Sequence, residues 1–414
     1  MEERRRVVVT GAGAITPVGK NVAEMWKNLL MGKNGIAPIT LFDATEYKAT
    51  LAAEVKDFDP LQYMKKLEAV RSDRNTQFAV AAAQEALADS GIVGSVDPER
   101  FAVYIGAGIG GIRTLEEEHM KLIKKGPDRV SSLFVPMMIA NMAAGTLAIR
   151  YNCKGPAMPA VTACASGSNA IGEAARLIRH GYADAVISGG TEAAICPIAV
   201  AGFSNMLALS QARDPDEASL PFDKRRGGFV MGEGAVILVL EEYRHAKERG
   251  AKIYGEVCGY GVTCDAYHMT ALNPDGSGGA RAMKEAMEEA GYIDEDVVYI
   301  NAHGTGTPMN DSTETLAIKG AFGDEAARRA YISSTKSMTG HMLGAAGAVE
   351  ALVCLLALRD KMIPPTINLK ETDPSCDLTY TPLKAVEGSP TLALSNSFGF
   401  GGHNACLAMR EVRS

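Results

Sequence analysis

The stretch Val161-Thr-Ala-Cys164-Ala-Ser-Gly167-Ser-Asn-Ala-Ile-Gly-Glu173-Ala-Ala-Arg-Leu-Ile178 places one cysteine ahead of a helix built from small and apolar residues. Ala170, Ile171, Ala174, Leu177 and Ile178 recur at helical steps, so Cys164 is expected at the first turn. There, unpaired backbone N–H groups and the positive end of the helix dipole favour thiolate over thiol. Free cysteine is more often a small buried hydrophobe, and the other cysteines of this chain read that way. Cys164 departs from them because His341-Met-Leu-Gly344-Ala-Ala-Gly-Ala-Val-Glu350-Ala-Leu-Val-Cys-Leu-Leu356 repeats its pattern with an imidazole in place of the sulfur. On this alignment Gly344 answers Gly167 and Glu350 answers Glu173.

The duplication extends upstream. Gln84-Glu-Ala-Leu-Ala-Asp-Ser-Gly91 resembles Lys284-Glu-Ala-Met-Glu-Glu-Ala-Gly291, each a helix end closed by glycine where a left-handed residue is wanted. Val103-Tyr-Ile-Gly-Ala-Gly108 then answers Val298-Tyr-Ile-Asn-Ala-His303. The order helix, strand, loop, active-site helix thus occurs twice, and two copies of one α/β unit are implied, residues 1–250 and 251–414. No low-complexity linker separates them, so the halves should pack as one body. The first copy is longer between strand and helix, with extra residues around Arg113 to Ala144. Met137, Met138 and Met142 in that insertion, near Phe134, are expected as ordinary core rather than as a site for a flexible apolar ligand.

The 414 residues are 47% hydrophobic and 22% charged, a globular composition. A net charge of −7 makes nucleic acid and anionic membrane surfaces poor partners. Arg4-Arg5-Arg6 reads as a solvated lead-in to the first strand. No apolar run approaches the ~18 residues of a membrane span, and Val7-Val8-Val9 runs into Thr-Gly-Ala-Gly rather than a signal-peptide core. Eight cysteines without a Cys-x-x-Cys pair suit neither a disulfide framework nor a thiolate metal site, so no metal and a reducing cytoplasm are expected.

Gly11-Ala-Gly13 after the first strand invites a dinucleotide-binding reading, but Thr16 stands where the third glycine belongs and Pro17 follows at once. Glu256-Val-Cys-Gly259-Tyr-Gly261 again runs a strand into Gly-x-Gly, so both pairs read as turn glycines of the two repeats. Lys65, Lys66, Arg71 and Arg74 gather cations in an acidic protein; such a cluster is either a solvated face or a dock for an acidic partner. Asn301-Ala-His303-Gly-Thr305-Gly-Thr307-Pro308 closes a strand with a loop too rich in glycine and threonine to continue it. Lys336 lies shortly before His341, and if the repeats pack about a pseudo-twofold axis, Cys164 and His341 converge from matching helix starts.

Thr162-Ala-Cys164-Ala-Ser-Gly, Asn301-Ala-His303-Gly-Thr-Gly-Thr, Lys336 with Gly340-His341, and Asn396-Ser-Phe-Gly-Phe400-Gly-Gly402 occur together and in this order. In this combination the whole chain resembles the β-ketoacyl-acyl carrier protein synthases, the condensing enzymes of fatty acid synthesis. The resemblance implies a thiolase-like fold of class α/β, a duplicated five-layer αβαβα architecture. It also implies decarboxylative condensation of an acyl thioester on Cys164 with a malonyl carrier, without a cofactor beyond the carrier's phosphopantetheine, by a homodimer partnered by acyl carrier protein. His303 and His341 would promote loss of carbon dioxide, Lys336 would support them with Asp311 or Glu350 as counter-ion, and the N–H groups of Cys164 and Phe400 would hold the oxyanion. Thr305 and Thr307 would bond the pantetheine amides. Ile109, Phe203, Phe398 and Phe400 would border the acyl pocket and its gate; the paired histidines resemble the elongating synthases, and Ile109 resembles the type II elongating enzyme. Two positions depart from the pattern: Leu207, where some relatives carry a basic carrier-contacting residue, and His403, where threonine or a small residue is expected. Polyketide ketosynthases share the fold and differ in product. Thiolases use a second C-terminal cysteine, and Cys406 lies outside the Asn396–Gly402 motif. Chain-length-factor-like subunits lack the nucleophile present here.

Overall fold

A computed structural model describes residues 5–412. Its main sheet is built from β1 (Val7–Ile15), β2 (Phe101–Gly106), β3 (Ala157–Ala160), β4 (Ala185–Glu192), β5 (Gly234–Glu242), β6 (Gly255–Cys264), β7 (Val298–Asn301), β8 (Tyr331–Ser333), β9 (Leu392–Gly399) and β10 (His403–Arg410). The strands lie in the order β8-β7-β9-β10-β6-β1-β5-β4-β2-β3. Each half has the same plan: β2 runs parallel to β3 and β4, with β5 and β1 antiparallel beyond, and β7, β8, β9, β10 and β6 repeat this. Within the main sheet the halves pair where Val8 and Val9 of β1 meet Glu256 and Gly255 of β6.

Four helices complete the layers. α1 (Arg74–Ser90) and α3 (Ser277–Glu289) cover the outer faces, while α2 (Ser166–Arg179) and α4 (Ala346–Asp360) pack on each other and touch strands of both halves. This is the five-layer arrangement. Strands buried on both faces read as near-continuous apolar runs, as in Val236 to Leu240 of β5. α1 and the helical stretch ended by α3 both close at a left-handed glycine, Gly91 and Gly291, each at φ 61°.

The Gly-x-Gly pairs are not turn glycines. Gly11 and Gly13 lie inside β1, and Gly259 and Gly261 inside β6. A Cβ on Gly11 or Gly13 would fall 2.2 or 2.0 Å from the carbonyl oxygens of Ala86 and Ala82 in α1; on Gly259 or Gly261, 2.0 or 1.9 Å from those of Ala286 and Ala282 in α3. Glycine is needed because helix backbone lies directly on strand backbone. The same helices satisfy strand N–H groups where the half-sheets part. Ala12 and Ala14 donate to Asp89 and Glu85, and Tyr260 and Val262 donate to Glu289 and Glu285.

The structure moves the repeat register by three residues. Cys164 lies in a 3-10 turn, Ala163–Ala165, just ahead of α2, and its counterpart is the turn Leu343–Ala345 ahead of α4. Both turns begin on a left-handed residue, Ala163 at φ 50° and Leu343 at φ 46°. Cys164 therefore corresponds to Gly344 and Gly167 to Gly347. His341 does not open a helix: it precedes the turn, its N–H donating to Val230 and its carbonyl accepting from Gly232. A repeat of small residues at helical spacing matches itself at more than one offset, which is how the shifted alignment arises.

Other expectations also change. Arg5 and Arg6 pair with Asp184 and Glu256 at 2.5 and 2.6 Å instead of standing solvated; Arg4 lies outside the described residues. Met137, Met138 and Met142 are half-buried rather than core: the first two end the short helix Phe134–Met138 that follows the helix Ile112–Lys125, and Met142 opens the next helix, Met142–Tyr151. The apolar stretch Asp184 to Gly190, which by its sequence could pair across a dimer's twofold axis or equally be an inner strand, is the latter: it falls in β4, held between β2 and β5, and offers no edge to a second copy. Gly13→Ala should lower stability by about 2–3 kcal/mol, because strand and helix backbones cannot both stay in place; urea denaturation reads this, and an unchanged midpoint would contradict the packing.

Candidate active site

The turn bearing Cys164 is held by its own side chains. Ser166 Oγ accepts the N–H of Thr162 at 2.9 Å and donates to the Ala163 carbonyl at 2.7 Å. Asn169 donates to Thr162 Oγ1 and accepts from Tyr260 of β6. These bonds hold Ala163 in a left-handed conformation that costs an alanine roughly 1–2 kcal/mol. From the other half, Gly399 comes so close that a Cβ would meet the Thr162 carbonyl at 2.5 Å and the Cys164 nitrogen at 3.3 Å. That approach turns the Phe400 N–H toward the Cys164 sulfur, where it pulls the thiol's pKa down.

Cys164, His303, His341, Phe398 and Phe400 line one cavity of about 430 Å³, together with Phe203, Thr305 and Thr307. The imidazoles of His303 and His341 stand 5.3 Å apart and nearly perpendicular, with Phe398 5.6 Å from His303 and Phe229 5.1 Å from His341. Among the described residues neither imidazole hydrogen-bonds a protein group, and Nδ1 of each is buried. Burial, reinforced by the Lys336 ammonium, holds both well below the usual histidine range, so both are neutral. Thr305 and Thr307 share a hydroxyl bond of 2.9 Å. Ile109 lies against the apolar cluster that contains Cys164, Ile195, Phe229 and Leu343.

Burial pushes the Cys164 thiol up to about 12, against the pull of Lys336 and of the Phe400 N–H. The sequence-based expectation of a favoured thiolate is thus overturned in the resting site: desolvation of the sulfur outweighs its place ahead of a helix.

Lys336 is 1% exposed and ion-pairs with Glu350. Asp311 is not its counter-ion; that carboxylate instead accepts N–H groups of Phe222 at 2.7 Å and Gly306 at 3.2 Å. Glu314, on the helix Pro308–Phe322, accepts the N–H groups of His303 and Gly304, both at 2.7 Å, and so fixes the histidine loop. Sequence reasoning missed Glu314, although two carboxylates three residues apart at the start of a helix after a glycine-rich loop are the pattern for binding that loop's amides.

The basic cluster divides. Lys65, Lys66 and Arg71 are exposed beside the exposed apolar residues Leu61, Leu67 and Val70. Arg74 is no docking residue: it pairs with buried Glu233 at 2.7 Å and lies over the rings of Phe58 and Phe78. Breaking such a pair costs about 3–5 kcal/mol, which makes Arg74 part of the core. Leu207 is 71% exposed at the cavity mouth with a left-handed backbone, beside exposed Met206 and Met309. His403 begins β10 opposite Gly399 and packs against the gate turn at Gly401.

A buried thiol and two neutral imidazoles lining one cavity, in a duplicated thiolase-type fold, are the site of an acyltransferase. The chain belongs to the β-ketoacyl synthase family: residues 4–246 match the family's N-terminal domain and residues 254–370 its C-terminal domain. It is 54% identical to the 3-oxoacyl-[acyl-carrier-protein] synthase 2 of Synechocystis sp., covering 99% of both chains. It is 50% identical to the enzyme of that name from Staphylococcus aureus, covering 100% of both. Among solved structures it matches a type II polyketide ketosynthase in complex with its acyl carrier protein, with TM-score 0.91, 36% identity, and 99% and 100% of the two chains covered. A β-ketoacyl synthase from Burkholderia phymatum matches with TM-score 0.91 and 37% identity, covering 99% of this chain and 100% of the other.

Proposed function

We propose that this chain elongates fatty acyl chains by decarboxylative condensation, giving 3-oxoacyl-acyl carrier protein and carbon dioxide. The reading rests on one observation: Cys164, His303 and His341 share one cavity, which Phe400 also lines. Cys164 takes the acyl group from a carrier's thioester, the thiol proton leaving with the phosphopantetheine sulfur. The neutral imidazoles are the bases at hand when that proton moves. Backbone N–H groups of Cys164 and Phe400 hold the tetrahedral oxyanion.

The malonyl carrier then enters, with Thr305 and Thr307 bonding its pantetheine amides. As carbon dioxide leaves, negative charge collects on the thioester oxygen. Neutral His303 and His341 donate N–H groups to that enolate, while Lys336, paired with Glu350, sets the field behind them. The carbanion attacks the acyl carbonyl on Cys164 and forms the C–C bond; collapse of the tetrahedral intermediate then re-forms the carbonyl and expels the Cys164 sulfur as thiolate, which takes up a proton. Phe203, Phe398, Phe400 and Ile109 border the acyl chain. No cofactor is required beyond the carrier's own phosphopantetheine, and no metal takes part. The relatives of 50–54% identity favour a fatty acid product over the polyketide alternative, and Cys164 argues against a non-catalytic chain-length-factor-like role.

The acidic partner is acyl carrier protein, met by Lys65, Lys66 and Arg71 but not Arg74, with the apolar mouth around Leu207 supplying the rest. The cytoplasm is the compartment that suits eight free cysteines; no helix among the described residues is long and apolar enough to cross a membrane.

The enzyme acts as a homodimer joined through β3, not β4. β3 is an edge strand with Met158 49% exposed, and the insertion before it exposes Met120, Ile123 and Val135. An open edge beside apolar surface calls for a cover. Light scattering should give twice the chain mass, and a stable monomer at micromolar concentration would reject the dimer.

His303→Ala tests the chemistry. It should still load an acyl group on Cys164, while carbon dioxide release from malonyl carrier falls roughly 10²–10³-fold, the usual cost of losing one preorganised donor; release at the normal rate would refute the assignment.

A further inference from the structure

Glu192, the last residue of β4, is fully buried and has no part in the chemistry above. Its partners are backbone amides from both halves. One oxygen accepts the N–H groups of Gly108 at 2.8 Å and Gly344 at 3.1 Å; the other accepts those of Ile109 at 3.3 Å and Gly110 at 3.4 Å. The space is shaped for a carboxylate, since a Cβ on Gly108 or Gly344 would lie 2.7 or 2.8 Å from its Oε2.

The position has a meaning in the duplicated fold. Gly108 is the counterpart of His303, and Gly344 the counterpart of Cys164. The amide of Gly344 thus corresponds to the Cys164 amide of the oxyanion pocket, and Glu192 occupies that donor in the half-site that lacks a nucleophile. The carboxylate consequently ties the loop carrying Ile109 to the turn ahead of α4, which belongs to the half that supplies the histidines.

We propose that Glu192 is a specificity-positioning residue: by anchoring the amides of residues 108–110 to the turn at Gly344, it restrains Ile109 and so sets how readily the channel beyond Cys164 admits a long acyl chain. This rests on the reading that Ile109 borders the acyl chain. A short chain ends before Ile109, whereas a long one must displace it, so strain on the loop is felt by long substrates alone.

Glu192→Gln keeps the shape but turns an amide NH₂ toward N–H donors. Hydrogen bonds to a charged acceptor are worth enough that their loss should raise the long-to-short ratio of kcat/KM, across a series of acyl carriers, about tenfold. Amide exchange at Gly108, Ile109, Gly110 and Gly344 should quicken in the same variant. A folded Glu192→Gln enzyme with an unchanged ratio overturns the proposal; a general structural role would lower all chain lengths together and also overturn it. If that variant does not fold, Glu192→Asp, which keeps the charge and shortens the reach, carries the same readouts. Ile109→Phe separates the two readings. It should lose long chains and keep short ones; if it does while the Glu192 variants leave the ratio untouched, only the anchoring fails. If Ile109→Phe instead loses all lengths equally while the Glu192 ratio shifts, the anchoring stands and the fault lies with the role given to Ile109.

Discussion

Everything in the site depends on the close contact of two buried helices across the pseudo-twofold axis. A Cβ on Gly167 would meet the Ala348 nitrogen and the Gly344 carbonyl, each at 2.9 Å; one on Gly347 would meet Ser168 Oγ at 2.2 Å. Only small residues let α2 and α4 approach so closely, and that approach sets the nucleophile turn of one half beside the histidine segment of the other. Gly399 extends the same constraint, since its missing side chain lets Phe400 present an N–H to the sulfur. The catalytic geometry is thus a consequence of backbone packing, with the reactive side chains attached to it.

That packing buries the ionisable groups of the site, and their charges follow from this. Burial drives His303 and His341 to the neutral form and pushes Cys164, Glu192, Glu314 and Glu350 upward. Lys336 keeps Glu350 as a partner, while Glu192, Glu314 and Asp311 bond to backbone amides. Such groups are costly to bury, but once satisfied each holds a loop in one arrangement. Glu314 holds the loop of His303, and Glu192 holds the loop of Gly108, its counterpart. Neutral, buried imidazoles suit a step whose charge appears on an enolate oxygen, because donors already in place need no reorganisation.

Much of this was legible in the residues. The duplication could be read from Val103-Tyr-Ile against Val298-Tyr-Ile and from the two glycine-ended helices, because strand and helix-cap signals are local. The residues that share the cavity could be read from the motifs around Cys164, His303, His341 and Phe400. Long-range packing was not legible. Gly11 and Gly13 looked like turn residues because a helix backbone lying on a strand leaves no mark within the strand itself. The alignment of Cys164 with His341 slipped by three residues because alanine and glycine repeat at that interval. Arg74 resembled its neighbours Lys65 and Arg71 until Glu233, far along the chain, came to face it. The thiol's pKa direction depends on burial contributed by both halves, which no local pattern carries.

The central claim is that Cys164 alone carries the acyl chain. Intact-mass measurement after exposure to an acyl carrier, followed by peptide mapping, tests it directly. The account predicts a single acyl adduct per chain on the peptide containing Cys164, absent in Cys164→Ala. An adduct on Cys196 or Cys406, or one that survives in Cys164→Ala, would contradict it.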